Sequence, residues 1–168
     1  MSSFDIFSQE LAEQLPAVIE EILSIPSENR VYSIAFVTTD DFYGFYVSFD
    51  YDTVDNPHNI WEHFEWKHAI YPSFLYQTLV DIVEGSTIDF TRTSDEKWAF
   101  AEQLMMLLNK HIQALPHEVF EKYGYQKEDI LFFTTMSDGD YMDELLTESA
   151  KLFNQSETLE KYQISLED

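Results

Sequence analysis

Cysteine is absent from this 168-residue chain, which excludes disulfides, thiolate nucleophiles and thiolate metal sites. Glycine occurs only four times, and no glycine-rich phosphate loop, dinucleotide fingerprint or nucleophile elbow is present. No apolar run approaches the roughly 20 residues that cross a bilayer, and the first six residues lack the basic and apolar regions of a secretory signal. These absences predict a cytoplasmic protein that is not an enzyme of any recognisable class.

Positive charge is also scarce, because nine Lys and Arg face 32 Asp and Glu, for a formal net charge of -23 at pH 7. Hydrophobic residues make up 45% of the chain and aromatic residues 16%, so a packed core can form despite the charge. Such a surface repels nucleic acid and anionic lipid, which bind through Lys and Arg. It attracts basic protein surfaces by electrostatic steering. Composition therefore predicts a binder of a basic protein, with no direct contact to nucleic acid or membrane.

Hydrophobic periodicity predicts a single α+β domain over residues 1–168, in which a small, mostly antiparallel sheet is packed by several helices. Within residues 1–25, apolar residues at helical spacing predict a helix that Ser2 or Ser3 caps and that Pro16 kinks or breaks. Two strands rich in β-branched and aromatic residues follow over 31–39 and 42–50, and a tight connection at Asp40-Asp41 makes them an antiparallel hairpin.

The second half of the chain alternates helices with single strands. Thr93 and Glu96 are spaced as a capping box for the longest of these helices. The pattern predicts a strand over 61–67, helices over 74–83, 95–114 and 141–153, a buried strand over 129–135 and an acidic tail over 155–168.

Potential metal ligands lie close together at His58, Glu62, His63, Glu65 and His68. A zinc protease helix needs two histidines four residues apart with Glu directly after the first. Here the last two histidines are five residues apart, and Phe64 holds the position of that Glu. The favoured interpretation is a polar surface between two partly buried tryptophans, and no metal or other cofactor is predicted. The alternative is a metal-dependent hydrolase that uses His58, His63 and Glu65.

A second cluster of carboxylates spans residues 137–144 and resembles a calcium loop only superficially. Counting from Asp138, position six is Asp143 instead of Gly, and position twelve is Ser149 instead of Glu. Two interpretations remain. Either Ser137 or Asp138 caps the final helix while the following acids complement its dipole, or the carboxylates form an exposed knob for a basic partner.

Acidic and aromatic residues alternate between residues 40 and 65. Tyr and Trp are effective binding anchors because they bury a large area at low rotamer cost, and carboxylates pair with Arg and Lys. Most aromatic residues must nevertheless belong to the core. The predicted partner-binding residues are Asp40, Asp41, Tyr46, Asp50, Asp52, Asp55, Trp61, Glu62, Glu65, Asp138, Asp140, Asp143 and Glu144.

Short motifs along most of the chain carry a resemblance to known proteins. They lie at residues 31–51, 61–66 and 130–135, at Ser137-Asp138 and at residues 144–154. With these motifs the chain resembles a family of small bacterial cytoplasmic domains of unknown function, and the resemblance implies a fold more than an activity.

Size, acidity and the absence of catalytic signatures give a second resemblance, to the immunity proteins of bacterial contact-dependent growth inhibition and related toxin systems. Many such proteins block toxin nucleases, whose active sites are basic. The resemblance implies an inhibitor that occludes a cognate toxin nuclease with its acidic surface. A general acidic regulator that mimics nucleic acid, without one dedicated partner, is the further alternative.

Overall fold

The structure, a computed structural model, describes residues 2–166; Met1 and the last two residues of the predicted acidic tail, Glu167 and Asp168, lie outside the described residues. Four strands form one sheet, namely β1 (Arg30–Thr38), β2 (Phe45–Asp52), β3 (His68–Ile70) and β4 (Leu131–Met136). The α-helices are α1 (Ser3–Leu23), α2 (Ser73–Glu84), α3 (Asp95–Gln113), α4 (His117–Glu121), α5 (Met142–Phe153) and α6 (Ser156–Lys161). Short 3₁₀ helices cover Ile60–Glu65 and Lys127–Asp129. The predicted α+β class is confirmed.

The strand order of the sheet is β3-β2-β1-β4. β2 pairs antiparallel with both β1 and β3, whereas β4 runs parallel to β1. The sheet is therefore mostly antiparallel, as predicted, but mixed. Because β1 and β4 are parallel, their carboxyl ends lie at the same edge, and the Ser137 N–H donates to the Thr38 carbonyl at 2.8 Å. This pairing brings the β1–β2 loop beside the loop that precedes α5.

Helices cover the two faces of the sheet unequally. The main core contains residues of the four helices α1, α2, α3 and α4 and one face of β2. The alternating residues Phe45, Val47, Phe49 and Tyr51 form that face, as the sequence predicts. A smaller cluster on the other face contains residues of β1, β4, the first 3₁₀ helix, α5 and the C-terminal segment. Burial on both faces explains why β1 is buried at every position after Arg30.

α1 passes through Pro16 as one helix, so the predicted break is wrong. Leu15 and Ile19, on either side of the proline, are fully buried in the main core. This burial continues along the helix and outweighs the cost of an interior proline, about 3 kcal/mol. Ser2 caps α1 through a capping box with Asp5, which confirms one of the two predicted caps. No helix within residues 2–166 has the length and apolar content that crossing a bilayer requires.

The β1–β2 connection covers residues 39–44 and is longer than the predicted turn at Asp40-Asp41. Phe42 has a φ of 58°, a left-handed conformation that costs a bulky residue about 1 kcal/mol or more. Its ring is nonetheless buried and packs against the rings of Phe100 and Phe90 at 5.2 and 6.0 Å. Because burying a Phe side chain contributes about 1.5–3 kcal/mol, packing determines the course of this loop.

Most of the predicted strand over 61–67 is instead the 3₁₀ helix Ile60–Glu65, which leads into the short strand β3. The Asn59 side chain starts it by accepting the Trp61 N–H at 3.0 Å. Ile60 and His63, three residues apart, are both buried, whereas Trp61 is exposed. Ile60 belongs to the smaller core cluster, which includes Phe133, and the His63 ring packs against Phe133, so this side of the segment packs on the sheet.

The prediction of an acidic tail over 155–168 is wrong for the described part of that segment. It contains α6, and the side chains of Tyr162 and Leu166 beyond the helix are buried. Lys161 donates to the Asp129 carboxylate at 2.8 Å, and the Tyr162 hydroxyl donates to the Asp129 carbonyl. These contacts, together with apolar burial, hold the segment against the body of the protein.

Side chains of α5 and the residue after it close the outer edge of β4. The Asn154 amide accepts the Phe132 N–H at 2.8 Å and donates to the Phe132 carbonyl at 2.6 Å, as a neighbouring strand would. The Ser149 hydroxyl does the same for the N–H and carbonyl of Thr134, at 2.9 and 3.0 Å. Open edge groups invite pairing with other chains, so these two side chains protect an otherwise exposed strand.

Replacing Asn154 with alanine should lower the free energy of unfolding by about 2 kcal/mol, because it leaves two part-buried backbone groups of Phe132 without partners. Chemical denaturation measures this loss, and size-exclusion chromatography should detect association through the opened edge. Gln155→Ala, at an adjacent exposed position, is the matched control and should change stability by less than about 0.5 kcal/mol. Equal losses in the two variants would contradict the edge-closing role of Asn154.

Candidate functional site

Of the predicted partner-binding residues, Tyr46 is half-buried in β2, and the others separate into two acidic surfaces at opposite ends of the β1–β2 hairpin. The register pairs Thr38 with Phe45 at one end and Arg30 with Asp52 at the other. Around the second end lies a surface that we call the acidic cleft, with Asp50, Asp52, Asp55, Trp61, Glu62 and Glu65 in or beside it. At the first end lies a surface that we call the acidic rim, formed by Asp40, Asp41, Asp138, Asp140, Asp143 and Glu144.

The acidic cleft is an open concavity of about 720 Å³. Its walls are the connector between α1 and β1, the loop after β2, and the chain from the first 3₁₀ helix into β3. Lys67 is the one Lys or Arg among the described lining residues, and four lining residues carry carboxylates, namely Asp50, Asp55, Glu62 and Glu65. The cleft is therefore a concave surface with an excess of negative charge.

Hydrogen bonds from neighbouring side chains fix one of these carboxylates, Asp50, in place. Asp50 accepts the Tyr32 hydroxyl at 3.1 Å and the Asn56 amide at 2.8 Å. The pKa of Tyr32 is raised, mainly by burial and next by the charge of Asp50. Its phenol therefore remains a donor to this carboxylate. The Asn56 amide also donates to the Tyr51 carbonyl at 2.6 Å, which ties the loop after β2 to the strand. Part of the cleft wall is thus preorganised.

A second anchor holds the same loop. Asp52, a predicted binding residue, pairs with Nε2 of His58 at 2.7 Å. The His58 ring packs against the rings of Tyr32 and Tyr162 at 4.6 and 5.2 Å. His58 has a φ of 54°, and these contacts oppose the strain of that conformation. Asp52 therefore supports the loop, and its carboxylate already has a hydrogen-bond partner within the protein.

In the acidic rim, Asp40 has an internal partner. Lys97 is 1% exposed, and its ammonium donates to Asp40 Oδ1 at 3.1 Å. Asp40 also lies against Gly139, where a Cβ would fall 2.1 Å from Oδ1. Gly139 has a φ of 104°, so the close approach and the backbone both require glycine. This contact joins the two predicted acidic segments into one rim.

The remaining rim residues are exposed. The α5 N-cap position is Tyr141, without a side-chain cap bond, so the predicted cap by Ser137 or Asp138 is wrong. Tyr141 instead bonds to the backbone N–H and carbonyl of Ser94 at 3.0 and 2.9 Å. Ser94, rather than the predicted Thr93, caps α3. The carboxylates of Asp138, Asp140, Asp143 and Glu144 are exposed at this edge.

The potential metal ligands do not converge. Within residues 2–166, no group of three or more His, Asp or Glu is arranged to hold a metal ion. His58 pairs with Asp52, His68 stacks on Phe49 at 5.4 Å, and the buried His63 faces Phe133 at 6.0 Å. The alternative of a metal-dependent hydrolase therefore has no geometric support in the described part of the chain.

His63 is the buried residue that the sequence interpretation missed. The sequence pattern predicts a surface position, but the residue is 2% exposed and neither ring nitrogen has a hydrogen-bond partner among residues 2–166. Burial lowers its pKa to about 4 and outweighs the opposing charge of Asp143, so the imidazole is neutral at pH 7. Only the spacing from Ile60 could have signalled burial, because nothing in the composition of this segment distinguishes an inward from an outward histidine.

A Ser–His pair was also not identified from the sequence. Ser8 and His111 face each other between α1 and α3, with Oγ to Nε2 at 2.8 Å. Burial lowers the pKa of His111, which favours the neutral imidazole but makes it a weaker base. No carboxylate bonds to the imidazole in the described structure, however, and neither residue lines the acidic cleft. The pair therefore connects two helices and provides no basis for nucleophilic catalysis.

Comparisons of the chain with protein-family models, curated proteins and solved structures found no match.

Proposed function

We propose that this protein is a cytoplasmic inhibitor that binds a basic protein, most concretely an immunity protein that occludes the active site of a toxin nuclease. The observation that carries the proposal is the acidic cleft, a concavity with four carboxylates and a single lysine. In a nuclease, Lys and Arg grip the phosphates of the substrate. The carboxylates of the cleft take the place of those phosphates, and the body of the protein blocks access to the active site.

Preorganisation of the cleft favours this role. Asp50 is held by Tyr32 and Asn56, and the loop after β2 is anchored through His58. Because these groups are already ordered, binding loses little conformational entropy. Close charge pairs at such interfaces couple by about 1.5–7 kcal/mol in favourable cases. Two or three pairs in this cleft would therefore contribute substantially to a stable complex.

Charge should also speed association with a basic partner. The net charge of -23 accelerates the encounter with a cationic protein, and this acceleration falls as salt rises. Near the cleft, Trp61 is exposed beside Glu62 and provides an aromatic anchor of the kind that dominates many interfaces. The acidic rim, at the other end of the hairpin, presents its exposed carboxylates before and at the start of α5 and supports steering more than occlusion.

The test is co-expression of the tagged chain with the product of the adjacent upstream gene, followed by purification and a nuclease assay. We expect a complex that inhibits a nuclease activity of the partner. The cleft variant Asp55→Asn/Glu62→Gln/Glu65→Gln should weaken the affinity by about 100-fold or more, since each lost charge pair costs about 1 kcal/mol or more. The association rate should decrease as NaCl is raised.

The matched control removes the same number of charges elsewhere. Glu102, Glu118 and Glu121 are exposed on α3 and α4, and their replacement by glutamine should change the affinity by less than about threefold. Equal losses in the two triple variants would indicate a general acidic regulator and overturn the assignment to the cleft. A partner that binds without any dependence on salt or on the cleft carboxylates would refute the proposal as a whole.

A further inference from the structure

We propose that a separate surface, the tyrosine face formed by Tyr43, Tyr46, Tyr71 and Tyr76, binds arginine side chains of the basic partner by stacking. The inference rests on the proposed function for the nature of the partner. It adds a second contact area and a chemical selectivity, for arginine over lysine, that the acidic cleft does not imply.

The distribution of exposed aromatic rings is the first observation. Within residues 2–166, the exposed aromatic side chains all lie between residues 43 and 76, namely Tyr43, Trp61, Phe64, Tyr71 and Tyr76. Tyr71 is 76% exposed and Tyr76 is 49% exposed. Aromatic rings bury large areas and normally dominate cores and interfaces, and an exposed cluster of them is typical of a binding surface.

The face consists of two ring pairs near the start of β2, and Tyr46, unlike the other three tyrosines, is half-buried. The Tyr46 and Tyr71 rings lie 5.6 Å apart with an interplanar angle of 32°, and the Tyr43 and Tyr76 rings lie 6.3 Å apart. Both pairs lie at the beginning of β2, where Tyr76 covers the backbone of Gly44 so closely that a Cβ would meet its ring at 2.5 Å. β3 pairs with β2 only from the third residue of β2 onward, so this edge of the sheet is open between the rings.

The charge around this face points to a cationic occupant. Two exposed carboxylates, Glu84 and Asp41, act on the phenol of Tyr43. Glu84 accepts the Tyr43 hydroxyl at 2.9 Å, and this bond raises the pKa of Tyr43. The phenol therefore stays neutral, and the carboxylate lies at the border of the rings. An aromatic surface flanked by acids attracts a cation through both the ring faces and the carboxylates.

Arginine fits this surface better than lysine. Its planar guanidinium stacks on an aromatic face while its N–H groups bond to a carboxylate in the same plane. Lysine carries a compact, strongly hydrated charge that loses more on leaving water. The tilted Tyr46–Tyr71 pair and the Tyr43–Tyr76 pair beside Glu84 offer ring faces of this kind. We therefore infer selectivity for arginine as well as for positive charge.

Two labelled peptides, octa-arginine and octa-lysine, test the selectivity against the full chain at fixed salt, by fluorescence anisotropy. Because one or two exposed cation–π contacts are involved, we expect the arginine peptide to bind about fivefold more tightly. Tyr71→Ser/Tyr76→Ser should reduce this preference to less than about twofold and leave the affinity for the lysine peptide unchanged. Circular dichroism of the variant checks that it folds.

The control is Phe64→Ser/Met106→Ser, which removes two exposed apolar side chains outside the tyrosine face and should retain the preference for arginine. Loss of the preference in this control, or its persistence in the tyrosine variant, would overturn the tyrosine face. The cleft variant should keep the preference while it loses the partner protein. A wild-type chain that forms the inhibited complex but binds both peptides equally would refute the tyrosine face and leave the proposed function standing. A wild-type chain that prefers the arginine peptide but forms no inhibited complex would support the tyrosine face and refute the proposed function.

Discussion

Asp40→Ala is expected to lower the free energy of unfolding by about 3 kcal/mol, because it leaves the buried ammonium of Lys97 without a counterion. Lys97 is 1% exposed and has its ion pair with Asp40 at 3.1 Å, whereas the Asp40 side chain is 40% exposed. Removing one partner of a buried pair costs about 3–5 kcal/mol. The partial exposure of Asp40 favours the lower end of that range. Urea denaturation at pH 7 measures the loss.

The reverse substitution provides an internal control. Lys97→Met leaves the carboxylate of Asp40, which water can still reach, and should cost only about 1 kcal/mol. The double variant should be more stable than Asp40→Ala alone, because no isolated buried charge remains. If Lys97→Met is as destabilising as Asp40→Ala, the cost comes from lost packing, and the explanation by an unpaired buried charge is wrong.

His63→Leu is expected to reduce the fall in the free energy of unfolding that the protein shows at acidic pH. The pKa of His63 is about 4 in the fold, below the ordinary value of about 6.5 that the unfolded chain should have. Between these values the unfolded chain binds the proton and the folded protein does not. The free energy of unfolding must therefore fall as the pH drops from 6.5 towards 4, and the full contribution is present only above 6.5.

The magnitude follows from the same two values. A tenfold difference in proton affinity corresponds to roughly 1.4 kcal/mol, so the wild-type chain should lose about 2.5 kcal/mol through His63 between pH 7.5 and pH 4.5. His63→Leu should lack this part of the loss. It should also be at least as stable at pH 7.5, since the buried ring nitrogens bond to no group within residues 2–166. Urea denaturation at both pH values measures the difference between the two proteins.

Carboxylates also titrate in this range, and the comparison with a matched histidine variant separates their effect. His117 is exposed on α4, and His117→Gln should retain the pH dependence of the wild-type chain. If the free energy of unfolding falls as much in His63→Leu as in the wild type between pH 7.5 and pH 4.5, water reaches His63 and its titration is not the source of the pH dependence. Asp143→Asn should increase the loss slightly, because the charge of Asp143 favours protonation of His63.

Patterns along the chain predicted the helices and the strand types well where burial is periodic. The alternation of Phe45, Val47 and Phe49 determines which face of β2 meets the core. The buried strand near Leu131 and the helix ending at Phe153 follow in the same way. Short segments were less predictable, because the choice between a strand and a 3₁₀ helix after Asn59 depends on what covers the sheet.

The candidate site was predictable in composition but not in arrangement. The excess of acidic residues between residues 40 and 65 is evident in the sequence. It does not reveal that Asp40 is paired with Lys97, that Asp52 holds His58, or that the remaining acids separate into a cleft and a rim. These assignments depend on contacts between residues far apart in the chain, such as the 57 positions between Asp40 and Lys97.

The sequence by itself determined the α+β class, the packed core and the dominance of negative charge, because periodicity and composition act through local backbone preference and through the hydrophobic effect. Tertiary structure alone decided that β4 lies parallel to β1, that Pro16 is tolerated within α1, and that the C-terminal segment packs on the body. It also decided which carboxylates face water and which are used internally. The physical reason is that each of these outcomes depends on the free energy of contacts between distant segments, which no local pattern contains.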